Sequence, residues 1–171
     1  MKERTKRYLI ASGTAAGMGA VAAGAAYLTT RILVKTALDR EEPTLMKMAG
    51  DRISGALIDP EVRRRIEEGE QKLLASDTET VTITAADGTE LVGHWHACPG
   101  AKRAVLAMHG WRSSWSRDFG IISDFIYDNQ CSVLFAEQRG QNNSGGEYMG
   151  FGLKERFDCL DWANWIDQRT G

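Results

Sequence analysis

The chain has 171 residues, of which 43% are hydrophobic and 26% are charged, which is the composition of a globular protein rather than a disordered one. The formal net charge of -2 leaves no excess of basic residues to attract phosphates, so a nucleic-acid partner is not expected. The three cysteines form no CxxC pair and no metal-ligand spacing. They are interpreted as structural thiols, with a disulfide as the alternative if the domain is exported.

The first feature along the chain is a run of 23 uncharged residues, from Tyr8 to Thr30. At about 1.5 Å per residue, a helix of this length reaches roughly the 30 Å of a bilayer's hydrocarbon core. The run therefore predicts a transmembrane signal anchor over residues 8–34. Because the run is rich in Ala, Gly and Thr, a cleaved signal peptide and a soluble packing helix are the alternatives.

The basic residues that flank this run predict its orientation. Four lysines and arginines lie in residues 1–7, whereas the three in residues 31–42 are diluted by acidic neighbours. By the positive-inside rule, residues 1–7 form a basic cytoplasmic tail and the rest of the chain lies outside the cytoplasm. The membrane is therefore one expected partner.

A helical linker is predicted next, over residues 35–76. Apolar spacing indicates one helix from Thr44 to Leu57. Asp59 and Pro60 start a second helix, which runs to Leu74, with Asp as the N-cap and Pro at the first helical position. Residues of opposite charge lie three to four positions apart in this second helix, which indicates a solvated surface.

From residue 77 the pattern becomes that of an α/β domain. Alternating apolar residues after Thr78, the turn Asp87-Gly88 and the segment from Glu90 to His96 predict a β-hairpin. The apolar runs Ala104 to Met108 and Ser132 to Ala136 predict buried strands.

Residues Phe119 to Tyr127, between these two runs, have helical spacing, and a last helix is predicted over Leu153 to Gln168. A strand, a helix and a second strand in this order indicate a parallel βαβ unit that is covered on both faces.

The sharpest chemical signal is His109-Gly110-Trp111, directly after the first buried strand. Ligand sites in parallel sheets form at the carboxyl ends of strands, where the following turn points backbone N–H groups into the crevice. His109 is expected to be a hydrogen-bonded turn residue rather than a proton-transfer group. For Trp111, only the backbone N–H is expected to matter, and the indole is expected to pack.

A second signal, Arg139-Gly140 with Ser144 and Gly146, follows the next strand. Together with the HGW motif, the spacing between the motifs and a helix that contains Glu155 and Asp158, it resembles α/β-hydrolases of the serine aminopeptidase and lysophospholipase-like branch. The resemblance covers roughly Val81 to Gly171. It implies an α/β fold that contains the N-terminal half of an α/β-hydrolase sheet, a hairpin plus a parallel βαβ unit. The transmembrane helix predicted from the uncharged run precedes this domain.

The resemblance also implies roles for individual residues. The Trp111 N–H matches one donor of the family's oxyanion hole, in a loop shaped by His109 and Gly110. Arg139 matches a structural organiser of the loop after the second buried strand. The sequence departs from the family pattern in that loop, with Glu137, Gln141 and Asn142 where Asp, His and Gly are commoner. These departures leave the geometry of the loop open.

The catalytic triad has no counterpart in the sequence. The G-x-S-x-G elbow of the fold does not occur, and Ser144 is interpreted as a turn residue. All three histidines precede any candidate serine, which is opposite to the order that the fold requires. The nucleophile, acid and base are therefore predicted to lie outside this chain. His94 and His96 are too few to hold a metal and are interpreted as surface residues of an edge hairpin, so no metal and no cofactor are expected.

Residues 77–171 are accordingly interpreted as a partial α/β-hydrolase domain that lacks the nucleophile elbow. The favoured hypothesis is a truncated N-terminal portion of a membrane-anchored serine hydrolase, inactive alone, that cleaves an ester, thioester or amide of an acyl substrate in its complete form. The alternatives are a non-catalytic membrane-bound interaction protein and one half of a split hydrolase. In the last case, a second chain would pair with the open edge of the sheet.

Overall fold

The computed structural model describes residues 2–171, with side chains from residue 17 onward except those of residues 18, 45, 51, 54 and 55. The chain divides into two compact units, Met1–Leu38 and Asp39–Gly171. Helix α1, Lys2–Leu38, makes up the first unit, and the predicted anchor lies within it. The side chains of residues 8–16 and 18 of that anchor fall outside the described part.

Among the described residues, no helix combines the length and the apolar character that crossing a membrane requires. The transmembrane anchor stays a prediction.

Two helices open the second unit, α2 (Thr44–Leu57) and α3 (Pro60–Leu74), and both were predicted. The Asp59 side chain accepts the N–H of Glu61 at 2.8 Å, which caps α3 at its start. On the surface of α3, Arg64 forms ion pairs with Glu61 and Glu68 at 2.7 and 2.5 Å. This is the pairing of neighbouring turns that the charge spacing indicates.

The four strands form one mixed sheet. They are β1 (Glu79–Thr84), β2 (Glu90–His96), β3 (Arg103–Met108) and β4 (Cys131–Ala136), and their order in the sheet is β1-β2-β4-β3. The β1–β2 and β2–β4 pairs are antiparallel, and the β3–β4 pair is parallel. The predicted hairpin and the predicted parallel βαβ unit are both confirmed.

Strand β2 lies inside the sheet, with β1 on one side and β4 on the other. His94 in this strand is only 9% exposed, and its ring stacks on that of Trp115 with the centroids 4.1 Å apart. The interpretation of His94 as a surface residue of an edge hairpin is therefore wrong. The reason is that β4, which covers the second side of β2, lies some 40 residues further along the chain.

The connection between β3 and β4 contains two short helices, α4 (Trp115–Phe119) and α5 (Ser123–Asp128), rather than the one predicted. They are separated near Gly120, whose backbone lies directly against that of Gly69 in α3. The last helix, α6 (Glu155–Thr170), starts two residues later than predicted and extends to Thr170.

The core has two layers, one on each face of the sheet, and β4 contributes to both because all six of its residues are buried. Helices α3, α4 and α5 cover one face, and α6 covers the other. The buried residues of the first layer are Leu73, Ala107, Trp115, Ile126, Cys131, Val133 and Phe135. Those of the second layer are Val81, Ala85, Leu91, Trp95, Leu134, Ala136 and Trp162.

Candidate functional site

The two loops that carry the predicted motifs start at the same edge of the sheet. Parallel pairing in register places Met108 of β3 beside Ala136 of β4, so His109 and Glu137 begin their loops at the same level. The structure therefore brings together the two motifs that the sequence places 28 residues apart, at the carboxyl ends of two parallel strands, where sites in such sheets form.

His109 is buried and links the two loops. Its Nε2 accepts the backbone N–H of Gln138 at 3.2 Å and lies 3.1 Å from the side-chain amide nitrogen of Asn142. That nitrogen also donates to the Ser113 carbonyl at 2.9 Å. Because both neighbours of Nε2 are donors, the ring proton is on Nδ1, which donates to the Gly110 carbonyl at 2.9 Å. His109 has the geometry of a neutral, hydrogen-bonded turn histidine.

The turn after β3 is held by partners on two sides. Asp118 in α4 accepts the N–H of Gly110 at 2.6 Å and the hydroxyl of Ser113 at 2.5 Å. The Arg112 N–H donates to Oε1 of Gln141 at 2.6 Å, and Arg112 has a positive φ of 52°. A turn with this many fixed backbone groups is preorganised, which is a requirement for stabilising a developing charge.

Trp111 lies in the middle of this turn. The residue is 48% exposed, and its ring tilts against that of Phe151 with the ring centroids 6.5 Å apart. The Arg112 guanidinium lies 5.2 Å from the centroid of the indole. The indole thus packs at the surface of the sheet's carboxyl edge. The role of the Trp111 N–H as an oxyanion donor stays a prediction.

Ser144 lies in the turn that follows β4, and it is fully buried. Its hydroxyl accepts the N–H of Val92 at 2.9 Å and donates to the carbonyl of Glu137 at 2.6 Å. The single hydroxyl proton is committed to a backbone carbonyl. Ser144 therefore has the hydrogen bonds of a structural turn residue, as interpreted from the sequence.

Glu137 joins the same loop to strand β2. Its carboxylate accepts from Nε2 of His94 at 2.9 Å, from the backbone N–H of Asn143 at 2.6 Å and from the Asn143 side chain at 3.0 Å. Burial raises the pKa of the Glu137 carboxyl, but the hydrogen bonds from His94 and Asn143 outweigh it, so the pKa lies below its usual value. The buried group is a carboxylate at neutral pH.

Arg139 ties the loop to two other parts of the domain. Its guanidinium donates to both oxygens of Asp158 in α6, at 2.7 and 2.5 Å, and to Asp87 in the hairpin turn at 2.8 Å. The hydrogen bond with Asp158 is the main reason that the pKa of Arg139 is raised, and the hydrogen bond from Arg139 is the main reason that the pKa of Asp87 is lowered. This is the geometry of a structural organiser.

Arg40 is a site residue that sequence reasoning missed. Its guanidinium donates to the carbonyls of Ser144 at 2.6 Å, Gly146 at 3.3 Å and Asn142. Its backbone N–H donates to the Glu147 carbonyl at 3.0 Å. No sequence signal marks this role, because any long, positively charged side chain that reaches the loop could donate to the same carbonyl groups.

A polar cavity of about 230 Å³ lies beside Arg40. It is lined by Arg40, Glu42, Arg112, Ser113, Gly140, Gln141, Asn142 and Met149. Within the described part of the chain, no group of three or more His, Cys, Asp or Glu side chains is placed to hold a metal ion.

Two solved structures of the esterase Pf2001 from Pyrococcus furiosus, in different crystal forms, are similar to this chain. Both are 28% identical to it over 58% of its length, with TM-scores of 0.51 and 0.52. The fold is hydrolase-like. The chain spans only 38% and 40% of the length of these two esterase chains. No protein-family model and no curated protein matches the sequence.

Proposed function

We propose that residues 77–171 are the N-terminal part of a serine hydrolase that, in its complete form, cleaves an ester, thioester or amide of an acyl substrate. The observation that carries this proposal is the hydrolase-like sheet with a preorganised His109-Gly110-Trp111 turn at the carboxyl end of β3. The 28% identity to an esterase over 58% of the chain supports it.

In this proposal, the Trp111 N–H supplies one donor to the oxyanion that forms when a nucleophile attacks the acyl carbon. The nucleophile, the acid and the base come from sequence outside this chain. At the ends of the two loops, the Ser144 hydroxyl and both ring nitrogens of His109 are committed to structural hydrogen bonds, and so is Nε2 of His94 in β2. The chain alone is therefore proposed to be inactive.

The edge of the sheet supports completion by further strands. Among the described strands, β3 pairs only with β4. Its side chains contribute to both core layers, Val105 to one and Leu106 and Met108 to the other, which is typical of an interior parallel strand. We propose that β3 is covered either by a later part of the same polypeptide or by a second chain that supplies the rest of a split hydrolase.

Labelling with a fluorophosphonate and hydrolysis of p-nitrophenyl esters test the function. The chain alone should show neither reaction, whereas a protein that continues into the sequence encoded directly downstream should show both. If that sequence contains no G-x-S-x-G elbow and no activity appears, the proposal is wrong. Labelling of the chain alone that disappears in Ser144→Ala would also contradict it.

The membrane anchor over residues 8–34 is a second part of the proposal, with residues 1–7 in the cytoplasm and the domain on the other side. It is supported by the uncharged run and its basic flank. Extraction of membranes with alkaline carbonate should leave the protein in the pellet. Release into the supernatant, or a mature N-terminus located after Ala23, would show that residues 8–34 are not an anchor.

A further inference from the structure

The peptide bond between Gly110 and Trp111 carries two groups that matter to the site, the Gly110 carbonyl and the Trp111 N–H. The described chain has no cis peptide bonds. In a trans peptide, the C=O and the N–H point in opposite directions, so whatever fixes the carbonyl also aims the N–H. The Gly110 carbonyl accepts from Nδ1 of His109 at 2.9 Å and from the Ser113 N–H at 3.3 Å.

Of the two neutral tautomers of His109, only one can donate to this carbonyl. Nδ1 must carry the proton and Nε2 must accept. Two donors impose that state, the Gln138 N–H at 3.2 Å and the Asn142 side-chain amide at 3.1 Å. The orientation of the Asn142 amide is itself fixed, because the same nitrogen donates to the Ser113 carbonyl at 2.9 Å.

The backbone of Asn142 is held in turn by Arg40, which donates to the Asn142 carbonyl and to that of Ser144. Asn142 has a φ of 49°, in the left-handed region that Asn tolerates better than most residues other than Gly. The glycine that is commoner here in the hydrolases that this sequence resembles could adopt the same backbone. It would have no side chain to reach His109.

We infer that Asn142, held in place by Arg40, is a positioning residue that aims the Trp111 N–H by fixing the tautomer of His109. We name His109, Asn142 and Arg40 the clamp. The functional meaning of the clamp rests on the proposed role of Trp111 as an oxyanion donor. Its physical content, one tautomer and one peptide orientation, does not depend on that role.

Nitrogen-15 NMR of the histidine rings in the 171-residue chain tests the clamp directly. In the wild type, His109 should show a protonated Nδ1 and an unprotonated Nε2. Asn142→Asp has the same shape but replaces the donor by an acceptor, so Nε2 of His109 should become protonated and the backbone amide signal of Trp111 should move. Arg40→Gln should move the same signals in the same direction.

Asn164→Asp is the matched control, because Asn164 is exposed on α6 and receives the same charge change. It should leave both signals in place. A wild-type His109 that is protonated on Nε2 would overturn the clamp, and so would a Trp111 amide that does not move in a well-folded Asn142→Asp. If that variant does not fold, Asn142→Ala removes the donor without adding charge and must move the Trp111 amide.

Kinetics of the completed hydrolase separate this inference from the proposed function. An oxyanion donor acts in the transition state, so Asn142→Asp should lower kcat by about tenfold or more at nearly constant KM, against about 10² to 10³ for complete loss of one donor. An inactive completed protein with the expected NMR signals would refute the function and leave the clamp intact. If the completed protein is active but Asn142→Asp changes neither its kcat nor its NMR signals, the clamp is refuted and the proposed function stands.

Discussion

At the scale of single residues, the loop after β4 is organised by buried charges rather than by apolar packing. Arg139 and Asp158 are only 4% and 2% exposed, and they meet through two parallel hydrogen bonds. A paired buried charge is tolerated, whereas a buried charge that loses its partner is strongly destabilising. The main effect of this pair on stability is therefore the loss of free energy of unfolding when one partner is removed.

We expect Arg139→Met to destabilise the domain by about 3 to 5 kcal/mol, because it leaves the Asp158 carboxylate buried without its partner. Arg139→Lys should be intermediate, since one ammonium cannot replace two parallel donors. Urea unfolding measures both. The control is Arg65→Met, which breaks the exposed pair with Glu61 and should cost at most about 1 kcal/mol. Equal losses at Arg139 and Arg65 would contradict this account.

Glu137 makes a prediction about pH. Its pKa is lowered in the folded state from an ordinary value of 4.5, so its contribution to stability is present above that value and is lost as the pH falls through the folded pKa. Glu137→Gln should be less stable than the wild type at pH 7 and should lose less stability between pH 5 and lower values. Free energies of unfolding measured across this range test it, and parallel curves for the two proteins would show that Glu137 does not carry the effect.

The site could be predicted from sequence only in part, and the limit is physical. The position of His109-Gly110-Trp111 followed from a local pattern, an apolar strand that ends in a Gly-containing turn. The contacts that join this turn to the loop after β4 connect residues 29 to 33 positions apart, and those of Arg40 reach across 102 to 106 positions. Gln141 and Asn142 were noticed as departures from the family pattern, but their partners depend on how the loops fold together.

At the scale of elements, the backbones of α3 and the α4–α5 junction approach each other closely at Gly69 and Gly120. A Cβ added to Gly69 would lie 2.8 Å from the carbonyl carbon of Gly120 and 2.9 Å from the nitrogen of Ile121, too close to be tolerated without movement. Glycine is required here for space. A glycine inside a helix costs about 1 kcal/mol relative to Ala, and the close contact with Gly120 offsets this cost.

We predict stability changes of opposite sign when two glycines, both inside helices, are each replaced by alanine. Gly50 of α2 has no neighbouring atom within 4 Å of an added Cβ, so Gly50→Ala should be neutral or stabilising by up to about 1 kcal/mol. Gly69→Ala gains the same helix propensity but forces α3 away from Gly120, and should destabilise by about 1 to 3 kcal/mol. Thermal unfolding compares the two variants. If Gly69→Ala is more stable than the wild type, α3 can move away from Gly120 without a cost in stability, and this account of the contact is wrong.

The elements themselves were largely predictable, because helix and strand periodicities are local. The bounds of α2 and the capped start of α3 agree with the sequence pattern, and so does the hairpin. The break between α4 and α5 was missed, since a contact with Gly69, some 50 residues away, lies at the junction. The interior place of β2 was missed for the same reason. The sequence of a strand does not show which distant strand will pair with its second side.

At the scale of the whole molecule, the two edges of the sheet differ in character. Strand β1 at one edge alternates threonines with apolar residues, whereas β3 at the other edge has an apolar run, Ala104 to Met108, that packs into both core layers. An edge that carries apolar side chains on both faces and no charge within the run is a template for pairing with another strand. We therefore expect the isolated chain to associate through β3.

This association should be sensitive to a charge on one edge and insensitive to the same charge on the other. Ala104 is exposed on β3, and Ala104→Lys should weaken concentration-dependent association because a lysine on an edge strand opposes pairing. Thr82 is exposed on β1, and Thr82→Lys places the same residue on the opposite edge as the control. Sedimentation velocity at increasing concentration, in the same detergent for all three proteins, should show reduced association for Ala104→Lys alone. If both variants associate like the wild type, contacts elsewhere on the molecule cause the association; if both are equally reduced, added charge alone explains the effect and β3 has no special role.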